Sequence, residues 1–583
     1  MQRLEKLIFA QADRTPEAVA VEHNGARLTY RELKEQALEI SRELQESGLL
    51  PGLSVAIFQD RSLATLPLML GIWEAGGVVV PINPNTPPKM LEAMIHDASP
   101  RIILMDATVK SHVPEFMNNG NGRQPAVNQP DDCYVIYTSG SEGRPKGVVG
   151  THQCLIQYLN WQAKEFGVKE TDVFSQTAPL SFDFALKELL VPLLCGASVS
   201  IADRNTVMDA RKFVKWAHDS KITVMCCVPT LLRSILQLPS SQADRETFAS
   251  LRHLLISGDM LRWDDVSGWR ERFGNDVELF NLYGPTEVTI IKLFYPIPET
   301  RAFGSTNVPV GRPIDDADVL VVDENDRVCA SGEVGQIVIL SPWIARGYLN
   351  GDRMASQPFC AVEYKGHQRR AYRSGDTGRW LLDGNLELMG RKDRQVKIRG
   401  YRIELNEIES ILSEHSAITD VAVVATNGLD QDGLTGIACY FTTEDPTLNA
   451  KELRNFAKER MLPQVLSLTR FSQLDKLPLS ANGKVDRQKL ASLVEVIEDE
   501  SSGTAAADAV TVQQRISGMW QELLAMEGIS PEANFFELGG DSMTAIRLLR
   551  RLREELHPEV KLDDVYEFPS ISQLSNRVEQ LLA

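Results

Sequence analysis

Short apolar segments of strand length alternate with amphipathic helical segments through the first 392 residues of this 583-residue chain. The apolar runs include LSVAIF, GGVVVPI and PRIILMD, and the helical pattern YRELKEQALEISRELQESG precedes the first of them. Such alternation is typical of layered α/β proteins. It predicts that residues 1–392 form a large core with several sheets.

Two further units are predicted after this core. Residues 393–495 contain the strand patterns DRQVKIRG and DVAVVATN and the helical pattern NEIESILSEH, which predict a small, mobile α+β subdomain. Residues 496–510 lose this periodicity and are rich in small and acidic residues, which is typical of a flexible linker. In residues 511–583 apolar side chains return at helical spacing, so we expect an all-α domain of the four-helix type.

Composition and charge exclude several classes of function. The net charge of −18 disfavours a nucleic-acid partner, because phosphate backbones are bound by basic surfaces. The eight cysteines form no CxxC pair and no zinc-like spacing, so we expect reduced thiols and a cytoplasmic protein. The N-terminus lacks the apolar region of a secretory signal. The sequence contains no stretch of about 18 apolar residues, so we expect no membrane span.

A loop rich in glycine and hydroxyl residues follows a predicted strand, with the sequence YTSGSEGRPKG at residues 137–147. Glycines allow the backbone to approach an anion, and hydroxyls and a lysine supply donors and charge. The loop lacks the GxxxxGK[ST] order of the kinase-type P-loop, and by itself it is also compatible with a surface turn. The candidate phosphate ligands are Thr138, Ser139, Gly140, Ser141 and Lys146.

This loop resembles the phosphate-binding signature of the adenylate-forming superfamily, which includes the adenylation domains of non-ribosomal peptide synthetases, acyl-CoA synthetases and luciferases. The family's other signatures follow in order, as AGGVVVPINP, NLYGPTE, YRSGD, GRKDRQVKIRG and LPLSANGKVDR. Ser141 and Glu142 replace the usual Thr-Thr pair, and Arg144 replaces a commoner lysine, which retains donors and charge. The resemblance extends over essentially the whole chain and implies an ATP-dependent, AMP-forming ligase.

The resemblance also implies roles around ATP. Tyr283 would stack on adenine, Asn281 would bond the adenine amino group, and Thr286 would touch the α-phosphate. Glu287 would hold Mg²⁺, and Asp376 would accept hydrogen bonds from the ribose hydroxyls. Three further residues are expected at the nucleotide: Gly258, Gly284 and Arg391.

Lys484 is the expected catalytic residue. The family places this lysine over the α-phosphate and the substrate carboxylate, where an ammonium offsets the repulsion between two anions. Asp393 would be the pivot about which the small subdomain turns between the two half-reactions.

The segment FFELGGDSM at residues 535–543 resembles the attachment site of peptidyl carrier domains. A serine at the start of a helix can also be a simple N-cap. After an adenylation domain, Ser542 is instead expected to carry 4′-phosphopantetheine, installed by a separate phosphopantetheinyl transferase, and to hold the activated acid as a thioester. The sequence shows no condensation, thioesterase or reductase domain. We therefore expect that the product is handed over to condensation, ligase or tailoring enzymes acting in trans, or is modified while tethered, in antibiotic or other secondary metabolism.

The pair Phe182-Asp183 resembles the motif whose aspartate binds the substrate α-ammonium. A buried carboxylate is costly unless it is paired, and an ammonium is its natural partner. We therefore expect an L-α-amino acid. Alignment with the family completes the side-chain pocket with Phe184, Lys187, Cys226, Leu255, Ser257, Leu282, Ile290 and Ile291.

Part of this pocket resembles pockets for serine and cysteine. Lys187 either faces solvent or hydrogen-bonds a polar, anionic or amide side chain, including an acylated 2,3-diaminopropionate. The sequence therefore predicts a polar amino acid.

Two alternative functions remain. An acyl- or aryl-CoA ligase would use free coenzyme A, against which Asp183 and the fused carrier argue. An inactive carrier-presenting scaffold would not need Lys484, Glu287 and Asp376.

Overall fold

A computed structural model gives the protein's fold. The residues it describes are 2–59, 61–105, 108–110, 129–138, 145–239, 243–299, 301, 305, 307–351, 358–392, 394–398, 401–426, 436–443, 445, 448–474, 476–478, 485–487, 489–491, 511–524, 529–535, 538 and 542–582.

The strands in chain order are β1 (Val19–His23), β2 (Ala26–Thr29), β3 (Ser54–Phe58), β4 (Val78–Ile82), β5 (Ile102–Met105), β6 (Thr108–Lys110), β7 (Asp132–Thr138), β8 (Lys146–Thr151), β9 (Val173–Gln176), β10 (Ser198–Ile201), β11 (Val224–Cys227), β12 (His253–Ser257), β13 (Glu278–Tyr283), β14 (Leu293–Pro296), β15 (Arg312–Pro313), β16 (Asp318–Val322), β17 (Gly335–Leu340), β18 (Gly347–Tyr348), β19 (Phe359–Tyr364), β20 (His367–Trp380), β21 (Leu386–Arg391), β22 (Gln395–Ile398), β23 (Tyr401–Glu404), β24 (Asp420–Thr426), β25 (Gly436–Thr442) and β26 (Thr469–Gln473).

The α-helices are α1 (Leu4–Arg14), α2 (Tyr30–Glu46), α3 (Thr65–Glu74), α4 (Pro88–Ala98), α5 (His152–Glu165), α6 (Phe184–Leu194), α7 (Arg204–Met208), α8 (Ala210–Asp219), α9 (Pro229–Leu236), α10 (Trp263–Phe273), α11 (Leu405–Ser413), α12 (Ala450–Lys458), α13 (Pro463–Ser467), α14 (Val512–Leu524), α15 (Ser542–Glu555), α16 (Leu562–Glu567) and α17 (Ile571–Leu582). Short 3₁₀ helices span Arg245–Phe248 and Thr286–Val288.

Two large sheets dominate the core. In the described chain the first has the order β18-β8-β7-β4-β3-β5-β6, and the second has the order β15-β14-β13-β12-β11-β9-β10-β1-β2. The central strands of both sheets run parallel, and antiparallel strands close their edges. Every residue of β4 is buried, as expected of a parallel strand covered on both faces.

Helices α3 and α6 lie between these two sheets. Most of their residues are buried, and they share one apolar core with Ile57 and Tyr134 of the first sheet and Phe174 and Leu255 of the second. A helix that is covered on all sides is apolar all round, which explains why these two show little amphipathic pattern. In this layer α6 packs against β9 and β10.

A third, antiparallel sheet completes the core. Its order within the described residues is β16-β17-β20-β19, and β21 pairs with the other end of β20. Strand β20 is 14 residues long, and its Tyr372 and Trp380 pack in the apolar core of this sheet on either side of Asp376. The last strand, β21, ends at Arg391, where the predicted boundary of the core lies.

The small subdomain is an α+β unit with its own apolar core. A hairpin of β22 and β23 leads into α11, and the strands β24, β25 and β26 form a sheet against α11 and α12. Glu409 of α11 accepts hydrogen bonds from Arg394 at 2.7 and 2.8 Å and from the Val423 backbone at 2.7 Å. This ion pair fixes the start of the subdomain to its first helix.

The C-terminal unit is helical, as predicted. Apolar residues of α14, α15, α16 and α17 form one core, in which the rings of Trp520 and Phe535 meet at a centroid distance of 4.8 Å. The predicted fold class, a multi-sheet α/β core followed by an α+β subdomain and a helical carrier, is therefore confirmed. The predicted boundaries at residues 392, 495 and 510 remain predictions.

Candidate active site

The described ends of the phosphate loop form one rung of a β-hairpin. Thr138 ends β7 and pairs in antiparallel register with Lys146, which begins β8. The Lys146 ammonium lies 5.7 Å from the centroid of the Tyr348 ring. The hairpin thus brings the cation of this loop close to Tyr348. Three of the predicted phosphate ligands lie outside the described residues: Ser139, Gly140 and Ser141.

Strand β13 ends in a turn that requires glycine. A Cβ atom at Gly284 would lie 2.5 Å from the carbonyl oxygen of Ile290. The chain passes through the 3₁₀ helix that begins at Thr286 and returns with Thr289 and Ile290 at φ values of 67° and 68°. Left-handed backbone is unfavourable for β-branched residues, and strain of this kind clusters at functional sites.

The amide of Asn281 is held by the backbone beside this turn. Its Nδ2 donates to the carbonyl oxygens of Val308 and Pro309 at 3.2 and 2.9 Å. The remaining amide atom, Oδ1, is the one that can accept a hydrogen from an adenine amino group. Gly258, the other predicted glycine, follows β12 with a φ of 96° and lines the cavity described below.

Asp376 lies at the centre of a buried hydrogen-bond network. It faces Arg391 in the register of β20 and β21, and it accepts hydrogen bonds from the guanidinium of Arg391 and the hydroxyl of Tyr283. The Ser374 hydroxyl accepts a hydrogen bond from the Asp376 backbone at 3.1 Å. Burial and the adjacent carboxylate raise the pKa of Tyr283 well above its ordinary value, so its phenol stays a hydrogen donor.

Glu287 is fully buried and bound by side chains from two other parts of the chain. One guanidinium nitrogen of Arg402 lies 2.8 Å from each of its carboxylate oxygens, and the Tyr348 hydroxyl donates to Oε1 at 2.8 Å. Burial raises the pKa of Glu287, but Arg402 and Tyr348 outweigh this effect and hold the pKa below its ordinary value. The site therefore contains an ionised carboxylate.

This carboxylate fits a magnesium ion that is bound mainly through a nucleotide. Mg²⁺ takes oxygen ligands and is usually held by one or two carboxylates together with phosphates and water. Among the residues that the structure describes, no group of three or more His, Cys, Asp and Glu could form an all-protein metal cage. Glu287 alone therefore suits Mg²⁺ delivered with triphosphate.

The predicted side-chain pocket lies at the carboxyl ends of three adjacent parallel strands. Cys226 of β11 is in register with Leu255 of β12, and Ser257 of β12 is in register with Leu282 of β13. Ligands of open α/β sheets bind at such strand ends. The pocket residues that follow the Gly284 turn are also fully buried: Ile290 and Ile291.

Helix α6 supplies the charged part of this pocket. Asp183 precedes the helix and is buried, and Lys187 lies one turn later with no exposed surface. The Lys187 ammonium lies 4.8 Å from the centroid of the Phe184 ring and has no hydrogen-bond partner in the described structure. The alternative that Lys187 faces solvent is therefore wrong, because α6 is covered by both large sheets.

The neighbouring Glu188 anchors α6. Its carboxylate accepts hydrogen bonds from the Thr177 and Ala178 backbones and from the Thr177 hydroxyl, each at 2.9 Å. Burial raises the pKa of Glu188, although these donors and the Lys187 ammonium oppose the rise. Since these hydrogen bonds tie α6 to the chain after β9, they also fix where Lys187 points.

A single cavity of about 170 Å³ connects the nucleotide residues with the start of α6. Its lining from the core includes Thr138, Phe182, Asp183, Phe184, Gly258, Gly284, Thr286, Asp376 and Arg391. Its lining from the small subdomain includes Arg402, Ile403, Ile408, Ile411, Met461, Leu462 and Val465. The candidate site therefore lies between the core and the small subdomain.

Two predicted residues cannot be placed against this cavity. Lys484 and Asp393 lie outside the described residues. Ser542 is the first residue of α15, a 14-residue helix in the carrier core, and its side chain is outside the description.

Three residues with prominent contacts were not predicted: Arg402, Tyr348 and Glu188. Arg402 follows the GRKDRQVKIRG motif by two positions, and no sequence signal links it to Glu287. Tyr348 belongs to the strand that pairs with β8, which sequence periodicity does not reveal. Glu188 follows Lys187, and two adjacent charges in an apolar helix were the one signal that could have drawn attention to it.

No helix in the described chain is long and apolar enough to cross a membrane.

Comparison with protein families gives three matches. The AMP-binding enzyme model matches residues 8–349, more than half of the chain. This chain belongs to the AMP-binding enzyme family. The model of the C-terminal domain of AMP-binding enzymes matches residues 407–484, and that of the phosphopantetheine attachment site matches residues 514–578. The predicted combination of an adenylation unit and a carrier domain is confirmed.

Relatives of this AMP-binding enzyme are large synthetases. Bacitracin synthase 1 of Bacillus licheniformis is 33% identical over 98% of the chain, which spans 11% of that protein. Tyrocidine synthase 1 of Brevibacillus parabrevis is 30% identical over 98% of the chain, which spans 52% of that protein. The chain therefore corresponds to part of each of these relatives.

Solved structures share the fold over all or most of the chain. The protein is similar to holo-PA1221, an NRPS protein containing adenylation and PCP domains, with a TM-score of 0.76, 23% identity, and coverage of 100% of this chain and 98% of the other. The Vibrio cholerae adenylation domain AlmE, in complex with glycyl-adenosine-5′-phosphate, gives a TM-score of 0.71 at 22% identity over 85% of this chain and 98% of the other.

Proposed function

We propose that this chain joins an L-α-amino acid to ATP, releases pyrophosphate, and loads the activated acid onto its own carrier domain. The main observation that supports this proposal is that one cavity is lined by both Asp183, the candidate ammonium ligand, and Asp376, the candidate ribose ligand. A carboxylate that recognises an amino acid and a carboxylate that recognises a sugar thus face a shared space. An aminoacyl adenylate contains both of these groups.

In the first half-reaction an oxygen of the substrate carboxylate attacks the α-phosphorus of ATP. The bond from that phosphorus to the bridging oxygen breaks, and pyrophosphate leaves. Thr286 would touch the α-phosphate, Lys146 would bind the leaving phosphates, and Lys484 would lie between the two reacting anions. Mg²⁺ held at Glu287 would neutralise phosphate charge.

In the second half-reaction the aminoacyl group leaves AMP for a thiol. Ser542 suits the attachment of a phosphodiester because a helix N-terminus favours negative charge. The phosphopantetheine arm supplies the accepting thiol as well as the reach to a buried site. Apolar residues of the cavity, including Met90, Met94, Ile408 and Val465, support a passage for such an arm.

Lys187 supports a substrate whose side chain accepts hydrogen bonds. Burial of an ammonium without a hydrogen-bond partner is unfavourable. A bound ligand that supplies hydrogen-bond acceptors would therefore be stabilised by the Lys187 ammonium. The small apolar wall of Cys226, Leu255 and Leu282 limits the size of that side chain. These features favour a polar amino acid resembling serine, cysteine or 2,3-diaminopropionate, or one with an anionic or amide side chain.

The biological setting of the proposal comes from the relatives. Bacitracin synthase 1 and tyrocidine synthase 1 are longer than this chain. Enzymes that accept the product in trans are part of the proposal. A phosphopantetheinyl transferase is the second proposed partner, since Ser542 needs its arm. The product would be a non-ribosomal peptide or another secondary metabolite.

Intact-protein mass spectrometry tests the proposal directly. The phosphopantetheinylated chain is incubated with MgATP and a mixture of amino acids, and the mass added to the carrier identifies the acid. Lys484→Ala should lose both ATP–pyrophosphate exchange and loading, whereas Ser542→Ala should keep exchange and lose loading. Covalent loading of Ser542→Ala would refute the carrier assignment.

The same assay separates the alternatives. A CoA ligase would convert fatty or aryl acids with free coenzyme A and would not need Ser542. A scaffold without activity would show no exchange with any acid, even after phosphopantetheinylation.

The substrate class is tested by comparing amino acids and one variant. Exchange should be faster with polar amino acids than with phenylalanine or leucine. Lys187→Met should reduce exchange with the preferred acid while ATP affinity stays unchanged. Equal exchange with phenylalanine and serine-like acids would overturn this part of the proposal.

A further inference from the structure

Arg402 connects the small subdomain to the residue proposed to hold the metal. It lies on β23, whose hairpin with β22 begins the small subdomain, and its guanidinium binds Glu287 of the core. Glu287 is 1% exposed in its side chain, and that of Arg402 is 20% exposed. The two residues are 115 positions apart in the chain. This ion pair therefore depends on how the small subdomain is docked.

The guanidinium and a magnesium ion cannot share Glu287. The same nitrogen of Arg402 lies 2.8 Å from both carboxylate oxygens. Mg²⁺ requires its oxygen ligands at about 2.0–2.1 Å. Two cations at one buried carboxylate would also repel each other strongly, because the local dielectric is low. Occupancy by one thus excludes the other.

The docked arrangement has further contacts that the ion pair would stabilise. Ile403, next to Arg402, lines the shared cavity, and the Lys89 backbone of the core donates to the Glu459 carbonyl of the subdomain at 3.4 Å. The Tyr348 hydroxyl binds the same Glu287 oxygen as Arg402, which holds the carboxylate in position for this partner. Docking therefore places one cation and one apolar side chain at the cavity.

We infer that Arg402 is a positioning residue that replaces Mg²⁺ at Glu287 and thereby holds the small subdomain for acyl transfer after the metal has left with pyrophosphate. The inference rests on the proposed two-step function. Departure of the metal leaves a buried carboxylate without a cation, which is strongly unfavourable. Arg402 relieves that state only when its subdomain docks, so metal release itself favours the change between the two half-reactions.

Manganese binding to the full-length chain with a non-hydrolysable ATP analogue, measured against the analogue alone, tests the competition. Free Mn²⁺ is measured by electron paramagnetic resonance for the wild type, Arg402→Gln and Arg233→Gln. Arg233 forms a buried ion pair with Asp265, at 2.8 Å and with 19% and 7% exposed side chains, entirely within the core. Arg402→Gln should bind Mn²⁺ about tenfold more tightly than the wild type, in the usual range for coupled sites. Arg233→Gln should match the wild type.

Equal Mn²⁺ affinity in the wild type and Arg402→Gln, or undetectable binding in both, would overturn the inference.

A comparison of exchange kinetics with carrier loading gives an independent readout. Arg402→Gln should need less Mg²⁺ for half-maximal ATP–pyrophosphate exchange, and its carrier loading should fall at least about tenfold further than its exchange. Loading that falls only in parallel with exchange would contradict the role of Arg402 in transfer.

Arg402→Lys keeps the test decisive if the glutamine variant is unstable. It retains the charge but not the planar guanidinium, so its Mn²⁺ affinity and its loading should lie between those of the wild type and Arg402→Gln. Values equal to the wild type would contradict the inference. A wild type that neither exchanges pyrophosphate nor loads its carrier would instead refute the proposed function, which separates the two failures.

Discussion

The nucleotide side and the amino-acid side of the candidate site balance their buried charges differently. On the nucleotide side Asp376 is paired with Arg391 and Glu287 with Arg402. On the amino-acid side the Lys187 ammonium has an aromatic ring nearby but no hydrogen-bond partner in the described residues. The first side is stabilised before any ligand binds. The second contains a charge that a ligand would satisfy, so substitutions on the two sides should act in opposite directions on stability.

Asp376→Asn should have the largest effect. The change removes the proposed ribose ligand and leaves the Arg391 guanidinium buried without its carboxylate. We expect ATP–pyrophosphate exchange to fall by roughly 100-fold or more, with a higher KM for ATP. Steady-state exchange kinetics measure this effect. Asp326→Asn is the control, because Asp326 forms an exposed ion pair with Arg373 and should leave exchange unchanged.

Arg391→Met and Lys187→Met compare the two sides by the same change of side chain. Arg391→Met should lower the free energy of unfolding by about 3–5 kcal/mol, since it leaves Asp376 buried and unpaired. Lys187→Met should raise it by about 1–3 kcal/mol, since it removes an ammonium without a hydrogen bond. Urea denaturation measures both values. Changes of the same sign in the free energy of unfolding would refute this difference between the two sides of the site.

Lys292 extends the comparison to a second buried lysine, beside Ile291 of the pocket wall. Burial lowers its pKa to about 8, although Cys154 and Asp316 oppose this in part. Below pH 8 both the folded and the unfolded chain hold the proton, and the penalty of burial is fully present. Between pH 8 and about 10.5 the folded chain loses the proton while the unfolded chain keeps it, so the free energy of unfolding increases with pH.

The wild type should therefore gain up to about 3 kcal/mol relative to Lys292→Met as the pH rises through this interval. Urea denaturation at pH 7 and pH 10 tests the difference. Lys215→Met changes an exposed lysine and should show no comparable gain. A constant difference between the wild type and Lys292→Met at both pH values would argue against the lowered pKa.

Gly284→Ala tests the turn that joins the two sides. Its Cβ would press on the carbonyl of Ile290, and overpacking of this kind lowers stability by about 1–3 kcal/mol. KM should rise for both ATP and the amino acid, because residues on either side of the turn would shift. In contrast, Gly518→Ala places a methyl group in open space on α14 and should be neutral or stabilising. Unchanged KM values for Gly284→Ala would contradict a shared turn.

The motifs that suggest the nucleotide residues coincide with local structure. The NLYGPTE segment ends a strand and enters a turn, and the YRSGD segment lies on β20, which pairs with β21 where β21 carries Gly390 and Arg391. The sequence did not predict the partners of these residues across the molecule. Periodicity reports which face of an element is apolar, and it carries no information on contacts between distant elements, such as Arg402 with Glu287.

The amino-acid side shows a different limit of prediction from sequence. Lys187 reads as a surface residue because lysine is rarely buried, and only the packing of α6 between two sheets excludes solvent from it. Burial of this kind is decided by tertiary layers rather than by the local pattern. Resemblance to a family therefore suggests which residues form the pocket, whereas the burial of Lys187 is evident only from the fold.

The left-handed backbone at Thr289 and Ile290 has a consequence for attempts to change substrate preference. Each β-branched residue in that conformation is disfavoured by about 1–3 kcal/mol, whereas glycine or asparagine adopts it more readily. Directed-evolution libraries randomised at position 290 would therefore enrich such residues for expression yield alone. Selection at this position should be scored per folded molecule, so that relief of backbone strain is not mistaken for a new specificity.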